Sequence, residues 1–251
     1  MSIASPFDDK NDVPSHWGMV GTILWGAIVT ATLILLHAIV AVVVVVTMHR
    51  PLSQEGLQRI LPQEAVSGTT ISWSACLTTI VCGAMLIGII KLKRGAVLSE
   101  YLALRAVPLR SCLLWLGILA AFIAGSDSLT VLLNRPVVPD FFASAYSTAR
   151  PWWILWIALL LAAPLFEETF FRGFLFKGFE ASFLRPGGAV VLTAALWSFL
   201  HIQYDAYGMM TVFLTGILFG AARVSTRSLW VPIIRHSASN LVATIEALVL
   251  A

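Results

Sequence analysis

From Gly18 to Met48 the chain reads GMVGTILWGAIVTATLILLHAIVAVVVVVTM, uninterrupted by Asp, Glu, Lys or Arg. A helix needs about 20 predominantly apolar residues to cross a hydrocarbon core about 30 Å thick, so this run is long enough to span a bilayer. It is too long for the core of a secretory signal. The segment before it, with Asp8, Asp9, Lys10 and Asp12, is not a basic leader either. The run is therefore expected to remain as a membrane anchor.

Working outward, further apolar runs cover about Thr70–Ile90, Ser111–Gly125, Pro151–Phe176, Ala189–His201, Gly208–Val224 and Leu229–Ala251. The 251 residues are 59% hydrophobic and 12% charged, whereas soluble domains run at about 45–50% apolar and about 25% charged. A water-soluble fold is excluded for want of a charged shell. The expectation is an all-α polytopic membrane bundle with about seven or eight transmembrane helices. Residues 1–16 form a polar tail, 17–150 a membrane scaffold and 151–251 a functional core. A short interfacial amphipathic helix is expected near 97–107. The net charge of +3 is dispersed, so no nucleic-acid partner is implied. Cys76, Cys82 and Cys112 sit within apolar runs and read as small hydrophobes.

Basic residues set the orientation, because short cytoplasmic loops are enriched in Lys and Arg. Lys91, Lys93, Arg94, Arg105 and Arg110 cluster after the second run, and Lys177, Arg185, Arg223 and Arg227 join them if seven spans alternate. That places the N-terminus in the cytoplasm. No motif repeats between the two halves, which argues against an inverted-repeat transporter.

Charged groups at membrane depth are functional hypotheses by default. The run from Pro151 contains Pro164-Leu165-Phe166-Glu167-Glu168-Thr169-Phe170-Phe171-Arg172. Glu168 and Arg172, four residues apart, share a helix face and can pair. Glu167 is then left without a counter-ion on its own helix, the setting that makes a carboxylate useful as a base. Pro164 removes a backbone donor, which bends the helix and frees a carbonyl. The next run puts Trp197 and His201 on one face, and the last puts His236 and Asn240 on one face, each at i, i+4 spacing. Helical rise places Glu167 roughly 8 Å, His201 roughly 18 Å and His236 roughly 10 Å from the inner edge of the core. One carboxylate, two imidazoles and a carboxamide are thus expected to meet in a cavity within the membrane, open toward the cytoplasm.

Glu167-Glu168-x-x-x-Arg172, an aromatic residue four before His201, and His236-x-x-x-Asn240, in this order on successive helices, resemble the CPBP family of intramembrane proteases. That family includes CAAX prenyl endopeptidases and bacteriocin-processing relatives. The resemblance covers about residues 150–251. The second motif normally opens with Phe, and here that position is Trp197. The resemblance implies a glutamate-type hydrolase: Glu167 with His201 activates a water, His236 with Asn240 stabilises the oxyanion, and Glu168 with Arg172 supports them. The residues alone agree on Glu167 as base and do not divide the roles of the two histidines. The substrate implied is a membrane-associated protein or peptide, prenylated at a CAAX end or bacteriocin-like. The setting implied is a prokaryotic cytoplasmic membrane with the site facing the cytoplasm.

No cofactor is expected. Zinc on Glu167, His201 and His236 is the weaker reading, because no single helix carries His-Glu-x-x-His. Two further functions suit the same pattern less well: a non-catalytic immunity or scaffold protein of the same fold, and a proton-coupled transporter. His37 reads as structural, Asp205 as water-facing, and Arg235 as snorkelling or paired with a carboxylate. Gly216-x-x-x-Gly220 reads as a close helix approach.

Overall fold

The computed structural model describes residues 15–49 and 53–250, so the expected polar tail lies almost wholly outside them. In chain order the helices are α1 (Met19–Met48), α2 (Gln54–Ala65), α3 (Gly68–Leu92), α4 (Leu98–Tyr101), α5 (Leu109–Leu132), α6 (Asp140–Thr148), α7 (Trp152–Glu180), α8 (Arg185–Phe199), α9 (Ala206–Thr226) and α10 (Trp230–Leu250). Among the described residues there is no strand. The fold is an all-α polytopic bundle, and among the described residues α1, α3, α5, α7, α9 and α10 are the six helices long and apolar enough to cross a membrane.

Three local expectations change. The apolar run ending at His201 becomes α8, whose 15 residues rise only roughly 22 Å. It closes at Phe199, leaving His201 in the connection to α9. Asp205 ends that connection: its Oδ1 accepts from the Gly208 N–H at 2.9 Å and so caps α9. The helix expected near 97–107 shrinks to the single turn α4, because Ala103 turns to φ 52° and Pro108 stands at the head of α5. Two connections between the apolar runs, the polar one at 50–68 and the one with Pro136 and Pro139, read as loops in the sequence and contain helices. In α2 the Ser53 hydroxyl accepts from Gly56 N–H, and α6 follows Pro139 with Asp140 in its first turn.

The α7 helix runs through the middle. Phe166, Phe170, Phe171, Phe174, Phe176 and Phe179 are all buried along it, against α1, α3 and α8 to α10. The α9 helix lies close on α8, as the glycine spacing anticipates. A Cβ on Gly216 would stand 2.9 Å from that of Ala194, and one on Gly220 2.8 Å from Val190 Cγ1.

The two ends of the bundle are tied differently. At the basic end Lys93 lies over the Trp17 ring, Ser228 Oγ donates to Arg105 O, and Leu229 N–H donates to Ala103 O. At the other end Arg135 pairs with Asp205, Phe141 meets Tyr204 edge-on, and Tyr146 donates to Thr244. The connection carrying His201 is therefore at the rim away from the basic cluster. A cytoplasmic opening onto His201 would have to run along the helices, not through this rim.

Candidate active site

The backbone of α7 is irregular where its chemistry lies. Ala158–Ala162 and Thr169–Leu175 are π-helical, and the six residues between them, Ala163–Glu168, hold Pro164, Glu167 and Glu168. Each π turn carries more residues than an α turn and re-aims the side chains that follow it. Pro164 has no N–H to give, and the freed Leu159 carbonyl accepts instead from Asn240 Nδ2 at 2.7 Å. A second carbonyl of the bend, Ala162, accepts from the Thr79 hydroxyl on α3 at 2.8 Å.

The two adjacent glutamates have opposite surroundings. Glu168 and Arg172 are both fully buried, and Arg172 Nη1 donates to Glu168 Oε1 at 3.1 Å, the pair expected from their spacing. The same oxygen receives His236 Nδ1 at 3.0 Å. Arg172 Nη2 donates to Gly216 O, and Arg223 Nε donates to Arg172 O, each at 3.1 Å. Arg235 departs from expectation. It is fully buried and neither snorkels nor pairs with a carboxylate: Nη1 donates to Leu218 O at 2.7 Å, and the guanidinium lies over Trp115 and Phe219. The apolar planes of those rings substitute for an anion.

Glu167 forms no ion pair among the described residues. Its Oε2 accepts from the indole Nε1–H of Trp197 at 2.5 Å. It also lines a recess of about 170 Å³ between α1, α3 and α7, together with His37, Ser74, Thr78, Thr79 and Phe166. His37 serves the structural part expected of it, its Nε2 bonding Ala65 O at 2.9 Å, but it shares this recess with Glu167.

Trp197 is the hub of the candidate residues. Its ring meets His201 edge-on at 5.1 Å and His236 edge-on at 5.3 Å, and the Arg172 guanidinium lies over it at 4.7 Å. His201 Nδ1 bonds the Trp197 carbonyl at 2.8 Å. With Nδ1 of His201 held by a backbone oxygen and Nδ1 of His236 held by Glu168, Nε2 is the nitrogen each ring has left for a substrate or water.

Glu167, Arg172, His201 and His236 thus touch the Trp197 indole, and Glu168 joins them through Arg172 and His236. Asn240 is separate from that contact set and gives one of its two amide N–H groups to Leu159 O. Sequence reasoning gives Trp197 only the size of an aromatic ring. The signal it misses is that an indole N–H inside a membrane requires an acceptor, and Phe in that position would offer none. It also misses Tyr204, which stacks on His201 with centroids 6.1 Å apart and planes 7° apart.

Among the described residues no three His, Cys, Asp or Glu side chains are grouped to hold a metal ion. No curated protein and no solved structure matches the chain. Residues 149–242, which include every candidate named above from Glu167 to Asn240, match the family model described as type II CAAX prenyl endopeptidase Rce1-like, a match that supports the resemblance to the CPBP family of membrane proteases.

Proposed function

We propose that the protein is an intramembrane endopeptidase that uses a glutamate-activated water. Its substrate class is a membrane-associated protein or peptide, with CAAX-type prenylated and bacteriocin-like chains as the candidates. The observation that carries this reading is the placement of Glu167. It is a carboxylate without a counter-ion, at the wall of a recess, hydrogen-bonded to an indole that touches both histidines. A structural carboxylate at this depth would be paired, as Glu168 is.

In the proposed reaction Glu167, assisted by His201, takes a proton from a water as its oxygen attacks the scissile carbonyl. His236, protonated at both nitrogens with Nδ1–H on Glu168, donates Nε2–H to the oxyanion together with the second amide N–H of Asn240, and the proton held by Glu167 passes to the leaving amine. General-base catalysis contributes about 10²–10⁴-fold and each oxyanion donor about 10²–10³-fold. The Arg172–Glu168–His236 chain supports this reading by fixing which nitrogen His236 presents. No metal is needed for these steps, and a chelator is expected to leave the rate unchanged.

The deciding experiment compares membrane peptides from cells bearing the active protein and Glu167→Gln by mass spectrometry. New chain ends that require Glu167 are expected. Identical termini in the two samples would refute the hydrolase reading.

A further inference from the structure

The connection Leu200–Asp205 carries His201 beyond the end of its helix, where no helical ladder fixes a side chain. Several hydrogen bonds nevertheless hold it. His201 N–H donates to Ser198 O at 2.9 Å, Tyr204 N–H donates to His201 O at 3.1 Å, and Ser198 Oγ donates to Met209 O at 2.7 Å across the neck of the loop. The bond from Nδ1 to the Trp197 carbonyl pins one atom of the imidazole, and the Trp197 indole meets the ring edge-on at 5.1 Å. The Tyr204 ring, parallel to the imidazole within 7°, adds the contact that holds its plane.

Tyr204 is in turn held on its other sides. Phe141 of α6 meets it edge-on at 5.7 Å and 84°. Gly208 lies so close that a Cβ there would come within 2.9 Å of the Tyr204 Cβ. The next residue, Asp205, is tied to Arg135 just past α5, and Arg135 lies over the ring of Tyr207, whose hydroxyl bonds Thr130 at 2.7 Å. Of these anchors, Phe141, Arg135 and Thr130 lie outside the stretch matched to the protease family.

We infer that Tyr204 is a positioning residue for His201, held by the α5–α6 corner, so that the scaffold half of the chain sets the orientation of the catalytic imidazole. Burial, and then the charge of Glu167, push the Tyr204 phenol up to about 12, which keeps it neutral beside the carboxylate. The kinetic half of this inference rests on the hydrolase reading, and the chemical half does not.

The test uses the full chain in detergent or nanodiscs, comparing wild type, Tyr204→Ala, Tyr204→Phe and Gly208→Ala. Diethyl pyrocarbonate acylation of His201 is followed by mass spectrometry, with His16 and His49 as internal references. Tyr204→Ala and Gly208→Ala are expected to speed His201 acylation several-fold, while Tyr204→Phe matches wild type. With a quenched-fluorescent farnesylated CAAX peptide, Tyr204→Ala should lower kcat on the order of 10-fold at unchanged KM, since small misplacements of a reacting group cost that much or more. Tyr204→Phe should keep at least about half of the wild-type rate. Unchanged His201 acylation in both Tyr204→Ala and Gly208→Ala would overturn the inference, and so would Tyr204→Phe falling as far as Tyr204→Ala. Cleavage that is equal in wild type and Glu167→Gln would count against the hydrolase reading alone, with the acylation rates still deciding the part played by Tyr204.

Discussion

Glu167 and Glu168 are neighbours in the chain and belong to different regions of the molecule. The Glu168 side of α7 is dry and crowded: a buried arginine and an imidazole close on one carboxylate oxygen, and the same arginine is held by the Gly216 carbonyl of α9. The Glu167 side faces a recess walled by α1 and α3, and its one hydrogen bond comes from an indole. A helix in lipid has room for both kinds of carboxylate, one that holds elements together and one left available for chemistry. The contrast shows that charge at membrane depth does not mark a reaction centre by itself; what matters is whether its neighbours already satisfy it.

The largest effect that would test this contrast lies on the dry side. Glu168→Ala strands Arg172 in a buried site, and loss of one partner of such a pair costs about 3–5 kcal/mol. Thermal unfolding in detergent should register it as a large drop, and a cost below about 1 kcal/mol would erase the distinction between the two sides. Glu167→Gln is expected to do the reverse. It should unfold within about 0.5 kcal/mol of wild type, with peptide cleavage reduced about 10²–10⁴-fold.

Trp197→Phe is intermediate, since it keeps the ring that both histidines touch and deletes the donor to Glu167. Hydrogen bonds to charged groups are worth about 1.5–3 kcal/mol, so turnover should fall about tenfold, with only part of the loss seen in stability. Thr79→Val removes the hydroxyl that occupies the Ala162 carbonyl on the recess side. It should cost about 1 kcal/mol of stability. Single-cysteine labelling then sharpens the picture without perturbing it. The variants Arg94→Cys and Ile202→Cys should react with impermeant reagents from opposite faces of the membrane, and labelling from one face would reverse the assignment of the two ends.

Much of this contrast can be read from same-helix spacing. Glu168 with Arg172, the aromatic residue with His201, and the carbonyl freed by Pro164 all follow from helical geometry within about four residues, where periodicity is informative. The partners that give these groups their roles come from far along the chain. His236 reaches Glu168 across 68 positions, Trp197 reaches Glu167 across 30, and Asn240 finds the Leu159 carbonyl across 81. No spacing rule reports such pairs. Polar helices are equally hard to see: α2 and α6 lack long apolar stripes and sit beside prolines, so only their first-turn chemistry at Ser53 and Asp140 distinguishes them from loops. The short α8 reads as a span because its apolar run continues into Phe199 and Leu200, while the turn that ends it is set by the cap of the following helix.

The π turns of α7 make its winding matter as much as its composition. Were Ala158–Ala162 to relax into ordinary α pitch at unchanged length, everything downstream would swivel by about a quarter turn relative to Trp152–Ile157. Glu167 would then exchange its open side for a packed one without any alteration to itself. Removing one residue together with the wide turn would largely cancel that swivel, so the extra residue and the turn that holds it are jointly a component of the proposed reaction centre.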